Sequence, residues 1–372
     1  MFLYGWEWVF VQMTFQFRLY PTPEQEEQMN RTLALCRTLY NRAKNQRETA
    51  YHQEGKTITY SMQQNDLPAF KKEYPEYKDV HSQVLQDSLR RLDDAYQRFF
   101  RGEAGYPHYK SADHYVSFTY PQPGAVKKTF AQEGSIYLSK IGFVRMNAHR
   151  PFDPEVVTQI NVKRYADEWM VNISVNIPEA KTERAVKTAV GIDLGLNAFA
   201  ALSDETKVVN PRYLRIAEKR LRRMQRRLSH KRQGSRNRQK ARRKVAKAYR
   251  KVARQRNDFL HKLSHRLIRD HELIAVEQLK IRNMLRNRRL AKSISDAGWR
   301  RFVTFLSYKA QRYGKRLVQV PAHGTSQTCI CGADVPKTLA IRIHECGACG
   351  LVQDRDVVSA KLILQRALSL TG

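Results

Sequence analysis

Four cysteines late in the chain constrain it most. Cys329 and Cys331 form one close pair, Cys346 and Cys349 form a second, and a short arm separates them. Two such pairs meet the requirement of a four-thiolate structural zinc site, in which soft sulfurs converge on one tetrahedral ion. Directly behind the second pair stand Gln353, Asp354, Arg355 and Asp356. Carboxylates that follow a metal-clamped loop are held in fixed geometry, as a magnesium-binding hydrolytic site requires.

The rest of the composition narrows the partners. A chain of 372 residues has room for two or three domains, each with its own core. Against 35 acids it carries 67 Lys and Arg, a net charge of +32 that exceeds what solubility needs and points to a polyanion, nucleic acid foremost. No run of about 18 apolar residues is present to span a bilayer. Residues 1–12, MFLYGWEWVFVQ, are apolar, but they carry Glu7 and lack both a basic n-region and a small-residue cleavage site, so they do not form a signal peptide. Met13 begins a more ordinary opening, which makes the leader either dispensable or an edge strand running into the next. Clustered cysteines with the lone Cys36 suit a reducing cytoplasm and a metal better than disulfides.

Along the chain, residues 13–19 alternate as a strand does, and Thr22, Pro23 and Gln25 read as a capping box opening a helix. That helix places Met29, Leu33, Cys36, Tyr40 and Ala43 on one face, with Cys36 in the core. A second amphipathic helix carries Leu85, Leu89, Leu92, Tyr96 and Phe99. From Tyr115 the period changes to two, through VSFTYPQ, GSIYLSKIGFVRM and VVTQINVKRYADEWMVNISVNI, which predicts a small antiparallel sheet or barrel interrupted by the helical unit. Residues 178–184 read as a polar linker. An apolar strand then contains the lone carboxylate Asp193, costly to bury without a cation, a metal or a substrate-facing position. Between Tyr213 and Arg256 a little under half of the residues are Lys or Arg, broken at Gly234 and Ser235. The spacing predicts two antiparallel helices, with Leu221, Met224 and Leu228 packing against Val245, Tyr249 and Val252 while arginines meet phosphate. A further buried strand ends in Glu277. The helix after it turns Trp299, Phe302, Leu306 and Tyr313 inward, and a last strand and helix complete the chain.

Strand with Asp193, hairpin, helices, strand with Glu277, helix, strand and a helix opening at Asp354 or Asp356 is the element order of an RNase H-like α/β fold. Three acids from separate elements can meet there at one sheet end, where divalent ions relieve their repulsion. GIDLG alone is weak, since sugar kinases and actin-like ATPases open similarly, but no second glycine-rich phosphate loop follows.

GIDLGLNAFA, the arginine-rich segment, IAVEQL, SISDAGWRRF, TSQTC and CGLVQDRD, with FRLYPTPEQEEQMNRTLALCRTLYN and GYPHYKSADHYVSFTYPQ earlier, resemble the TnpB/OrfB proteins of bacterial and archaeal insertion sequences. The resemblance covers nearly all of residues 13–368. It implies an RNA-guided DNA nuclease, kin to the type V CRISPR effectors, of α+β multidomain fold. Its expected parts are an apolar leader (1–12), a β-barrel-like wedge domain (13–21 and 105–180), an inserted helical recognition domain (22–104), an RNase H-like RuvC nuclease domain (187–322 and 352–368) and a zinc-ribbon insertion (323–351). It further implies catalytic magnesium on Asp193, Glu277 and Asp356, and structural zinc on Cys329, Cys331, Cys346 and Cys349. The partners implied are a guide RNA from the transposon end and a double-stranded DNA target, without a membrane, in a nucleoid-associated cytoplasmic setting. In two places the chain departs from the family. Val358 stands where an asparagine is usual, and one residue rather than two separates Cys329 from Cys331, with His344 as a substitute ligand. A guide-free transposase that cuts and joins strands, or a nuclease-inactive RNA-guided DNA-binding regulator, are the alternative functions.

Overall fold

A computed structural model describes residues 10–122, 134–165, 168–178, 186–338 and 341–371. Residues 1–9 of the leader and 179–184 of the expected linker lie outside these. The chain forms two compact units, Gln12–Ile177 and one made chiefly of Pro178–Gly372. Among the described residues no helix is long and apolar enough to cross a membrane.

In the first unit, β1 (Phe10–Tyr20) buries every second side chain, Val11, Met13, Phe15, Phe17 and Leu19. It begins three residues before Met13, so the end of the leader belongs to the strand. Thr22 and Gln25 exchange side-chain and backbone hydrogen bonds, the reciprocal cap that starts α1 (Pro23–Glu54). The α1 face carrying Met29, Leu33, Cys36, Tyr40 and Ala43 is buried. Burial pushes the Cys36 thiol up to about 12, which makes it an inert core residue. Three shorter helices follow, α2 (Tyr60–Asn65), α3 (Leu67–Glu73) and α4 (Ser82–Phe100), and α4 packs Leu85, Leu89 and Leu92 against α1. The chain then returns to the sheet as β2 (Ser117–Tyr120), β3 (Ser135–Leu138), β4 (Gly142–Met146), β5 (Val157–Tyr165) and β6 (Glu168–Pro178). The strand order is β2-β5-β6-β1-β4-β3. β1 thus lies inside the sheet although it comes first, and the helices are an insertion between it and β2.

The second unit is a five-stranded sheet in the order β11-β10-β7-β8-β9. β7 (Ala189–Leu194) runs antiparallel to β8 (Ala198–Leu202), which continues into β9 (Lys207–Val209). β10 (Leu273–Gln278) lies parallel to β7 on one side and to β11 (Arg316–Pro321) on the other. Three antiparallel strands followed by two parallel ones are the arrangement expected of an RNase H-like domain. Between β9 and β10 run α5 (Tyr213–Ser229) and α6 (Arg236–Asp270). Gly234 makes the intervening turn at φ +76°, and Ser235 caps α6 by accepting the Arg238 N–H. Their pairing is antiparallel, with the Gln225 amide donating to the Tyr249 hydroxyl at 2.9 Å. Tyr249 is therefore a polar rim contact, 43% exposed, and not part of an apolar stripe. The second half of α6 serves the domain core, which Leu260, Leu263, Leu267 and Ile268 enter.

After β10 come α7 (Ile281–Met284), α8 (Ala291–Ala297) and α9 (Trp299–Arg312). Trp299, Phe302 and Leu306 turn inward as expected, but Tyr313 follows the helix end and is 45% exposed. β12 (Ile343–Glu345) and β13 (Val352–Asp354) pair antiparallel at the base of the cysteine arm, and α10 (Arg355–Thr371) closes the chain. Period-two alternation divides the sheet between two layers. Val190, Ile192, Ile274 and Val276 face α6 and α9, whereas Leu273, Ala275 and Val320 face Ile363 and Ala367 of α10.

Candidate active site and metal centre

The same alternation places the carboxylates. Gly191 and Ala275 are register partners, as are Ile192 and Val276, so the next residues, Asp193 and Glu277, stand side by side at the C-terminal ends of β7 and β10. One step beyond residues that face α6 and α9, both belong to the α10 face. A Cβ built on Gly191 would lie 2.0 Å from the Ala360 carbonyl oxygen, so only glycine lets α10 sit this close to β7. One helical turn before Ala360 is Asp356, in the first turn of α10. The acids influence one another electrostatically. Burial, then the charges of Glu277 and Asp356, holds the Asp193 carboxyl well above the usual carboxylate range. Glu277 is 8% exposed, and burial raises it too, against the opposing pull of the Thr325 hydroxyl and the Arg366 guanidinium.

Three neighbouring residues play three different parts here. Asp354 caps α10, its Oδ1 accepting the N–H of Asp356 at 3.0 Å and of Val357 at 3.4 Å, while its Oδ2 accepts from Lys207 at 2.5 Å. Burial would push its carboxyl up, but Lys207 and the two helix N–H groups hold it below the ordinary range. Arg355 ties the helix to the cysteine arm, donating its backbone N–H to the Arg342 carbonyl and its guanidinium to Thr338. Asp356 raises the Asp193 carboxyl more than Asp354 does, and Arg342 Nη1 lies 3.5 Å from the Asp356 Oδ2. The buried Thr325 donates its hydroxyl to Glu277. Thr325, Arg342, Arg366 and Gly191 are the residues that reading acids alone passes over. For Gly191 a signal exists, since it lies two before Asp193 and shares its face. Val358, where the family pattern has asparagine, is 1% exposed and packed, and the helix is seated instead by Gly191 and the Asp354 cap.

The four cysteines also converge. Cys329 and Cys349 Sγ are 3.7 Å apart, as are Cys331 and Cys346, and all four sulfurs lie within 4.8 Å of one another. A tetrahedron with metal–sulfur arms of about 2.3 Å has edges of about 3.8 Å, so the donor set fits zinc. Each pair sits on a tight turn: Gly332 donates to the Cys329 carbonyl and Gly350 to that of Cys346, with φ of +91° and +73°. Backbone N–H groups of Cys349 and Ala348 bring the Cys346 thiol down to about 6, whereas the neighbouring thiols push Cys349 up to about 12 and burial raises Cys329. The four sulfurs form this group without His344, whose Nδ1 is engaged by Lys337. Elsewhere, Asp296 fastens the basic hairpin to the core, accepting the Leu214 N–H at 3.0 Å and lying 3.7 Å from Arg256.

Comparison with known proteins gives matches throughout. Residues 172–288 match a family described as "Probable transposase", residues 299–363 one described as "Cas12f1-like, TNB domain", and residues 11–56 one described as "Helix-turn-helix domain". The last span here is β1 followed by the single long α1. A Streptomyces pristinaespiralis protein named "Putative RNA-guided DNA endonuclease" is 34% identical over 97% of this chain and 91% of its own. "Putative RNA-guided DNA endonuclease InsQ" of Escherichia coli (strain K12) is 33% identical over 94% and 91%. In fold, the chain is similar to the protein in "Cryo-EM structure of the Cas12f1-sgRNA-target DNA complex", with a TM-score of 0.56 at 13% identity over 95% of this chain and 98% of that one.

Proposed function

Because the chain belongs to the TnpB/OrfB family of insertion-sequence-encoded nucleases, we propose that it is an RNA-guided DNA endonuclease that hydrolyses phosphodiesters with magnesium held by Asp193, Glu277 and Asp356. The observation that carries this reading is that Asp193, Glu277 and Asp356, from β7, β10 and α10, lie near enough for the latter two to add to burial in raising the Asp193 carboxyl, while burial also raises that of Glu277. Such a cluster repels itself unless cations are drawn in. Bound divalent ions supply Lewis-acid stabilisation of the attacking and leaving oxygens. The protein's own part is positional. Asp193 and Glu277 are spaced by strand pairing, Asp356 is set by the helix seat at Gly191, and the Thr325 hydroxyl fixes the Glu277 carboxylate.

Cys329, Cys331, Cys346 and Cys349 hold a structural zinc in this reading, clamping the arm whose ends are Thr325 and Asp354. Base pairing with a guide RNA from the transposon end chooses a double-stranded target, and the protein reads backbone shape. A cytoplasmic site follows from the free thiols that zinc needs. Protein reconstituted with magnesium and an RNA copied from the flank of its own element should cut matching DNA, and a changed guide segment should move the cut. Cutting and joining of transposon ends without RNA would establish the transposase reading instead. Guided binding without any cut would establish the regulator.

A further inference from the structure

Two aspartates stand two residues apart where α10 begins, and both lie near enough to act on Asp193. Something must therefore give the metal to Asp356 and withhold it from Asp354. The helix N–H groups of Asp356 and Val357 engage only Oδ1 of Asp354. Its Oδ2 would be a free anionic ligand atom beside the acids, were it not for Lys207 Nζ at 2.5 Å. The strands deliver that lysine. Asp193 is paired in register with Ala201 on β8, and Ala201 with Lys207 on β9. Directly opposed residues share a face of a sheet, so Lys207 ends the row to which Asp193 belongs, on the edge strand. Two strand spacings, about 10 Å, separate their backbones, with only the small Ala201 side chain between them in the row. The turn before β9 is itself fastened to α10, since Glu205 Oε1 accepts from Gln353 at 2.7 Å and from Lys361 at 2.9 Å. Sheet register and this tie together keep Lys207 opposite Asp354.

Divalent cations settle where carboxylate oxygens are least neutralised. An ammonium on Oδ2 takes the electrostatic place of a metal, and a carboxylate so neutralised competes poorly for one. We propose that Lys207 is a positioning residue that decides which of the two aspartates becomes the ligand: by occupying Asp354 Oδ2 it keeps Asp354 in the helix cap and leaves the metal to Asp356. The inference rests on the reading of Asp193, Glu277 and Asp356 as the magnesium ligands. Without Lys207, Asp354 is a decoy that draws an ion out of the productive arrangement, so that metal is bound but cutting slows.

Manganese binding to the full chain without nucleic acid, followed by the paramagnetic resonance of free Mn2+, tests this apart from cutting. Asp356→Ala should weaken Mn2+ binding at least about tenfold. Adding Lys207→Met to that variant should restore most of the binding, and adding Asp354→Asn as a third change should remove it again. With guide and target, Lys207→Met alone should cut about tenfold more slowly at saturating magnesium while binding Mn2+ at least as tightly as wild type. Lys207→Arg, and Lys207→Met combined with Asp354→Asn, should both cut at close to the wild-type rate. A lysine that merely stabilised the fold would lower metal binding and cutting together, and removing the charge of its partner would not rescue it. The proposal is overturned if Lys207→Met fails to restore Mn2+ binding to Asp356→Ala, or if Asp354→Asn fails to rescue the cutting of Lys207→Met. Restored Mn2+ binding in a chain whose wild type never cuts upholds the role of Lys207 and removes the endonuclease reading. Mn2+ binding left unchanged by Asp356→Ala removes the ligand assignment and this inference with it.

Discussion

The three residues from Asp354 to Asp356 show how little separates an acid that builds from one that reacts. Asp354 spends both oxygens on the α10 cap and on Lys207, whereas Asp356 makes neither bond and acts more strongly on Asp193. Asp354→Ala should therefore cost about 1 kcal/mol of stability and cut more slowly, while Asp354→Asn keeps the cap and most of the rate. Asp356→Ala should lose at least about a thousandfold in cleavage with nucleic-acid binding retained. If Asp356→Ala cuts normally and Asp354→Asn does not, the ligand has been assigned to the wrong aspartate. The raised Asp193 carboxyl has its own consequence. Folded protein holds that proton more tightly than the unfolded chain does, so its contribution is intact below the ordinary carboxylate range and is lost as pH rises toward the raised value. In EDTA at neutral pH, Asp193→Asn should melt above wild type and should lose the stabilisation that magnesium gives wild type; a variant melting lower at every pH would contradict this. Asp193 was legible in the sequence because one carboxylate interrupts an apolar strand. Thr325 was not, because no spacing rule links a hydroxyl to an acid 48 residues away.

At the level of elements, the order of strands and helices in the second unit could be read from hydrophobic period, since every β7 and β10 residue has one of two faces. What period does not give is how closely two elements approach. Gly191 sets that distance for α10, and a methyl there meets backbone, which cannot rotate away. Gly191→Ala should cost about 1–3 kcal/mol by overpacking, a fall of about 2–4 °C in Tm per kcal/mol for a unit of this size. Cleavage should fall further than stability, because displacing α10 moves Asp356. A variant with an unchanged melting curve would mean the helix does not sit where the fold has it. β1 was legible from Met13 onward, but its start was not, since residues 1–12 are apolar apart from Glu7 and Gln12 and give no regular alternation to mark an edge. The strand begins at Phe10, Val11 is 6% exposed, and β6 and β4 flank it in the sheet. A chain begun at Met13 should therefore melt lower than one begun at Phe10, since burying a valine contributes about 1.5 kcal/mol. Equal melting of the two would return residues 10–12 to the dispensable leader.

Over the whole molecule, a net charge of +32 made nucleic acid the leading partner before any fold was known, but charge alone does not say which surface meets it. The fold narrows the choice to elements whose exposed cations far outnumber the acids beside them. Between Tyr213 and Arg256 the only acid is Glu218, which already holds Arg222 and Lys292, and Leu221, Val245 and Val252 are buried in packing while Leu260, Leu263 and Leu267 enter the core. Arg226, Arg227, Arg243 and Lys244 are exposed on this hairpin, where self-repulsion is a standing cost unless phosphates neutralise it. An RNA bound there releases counterions in proportion to the phosphates it pairs with cations, so the logarithm of its affinity falls linearly with the logarithm of salt. Replacing these four residues by glutamine should weaken guide RNA binding and reduce that slope by roughly 0.7–0.9 for each phosphate left without its cation. The weakening should be the same for guides of different pairing segment, because backbone contacts carry no sequence. Melting of the protein alone should hold or rise, since four repelling charges have gone. A slope that stays at the wild-type value while affinity drops would mean the four cations act through the fold of the hairpin and not on phosphate, and the RNA would have to be sought on another face.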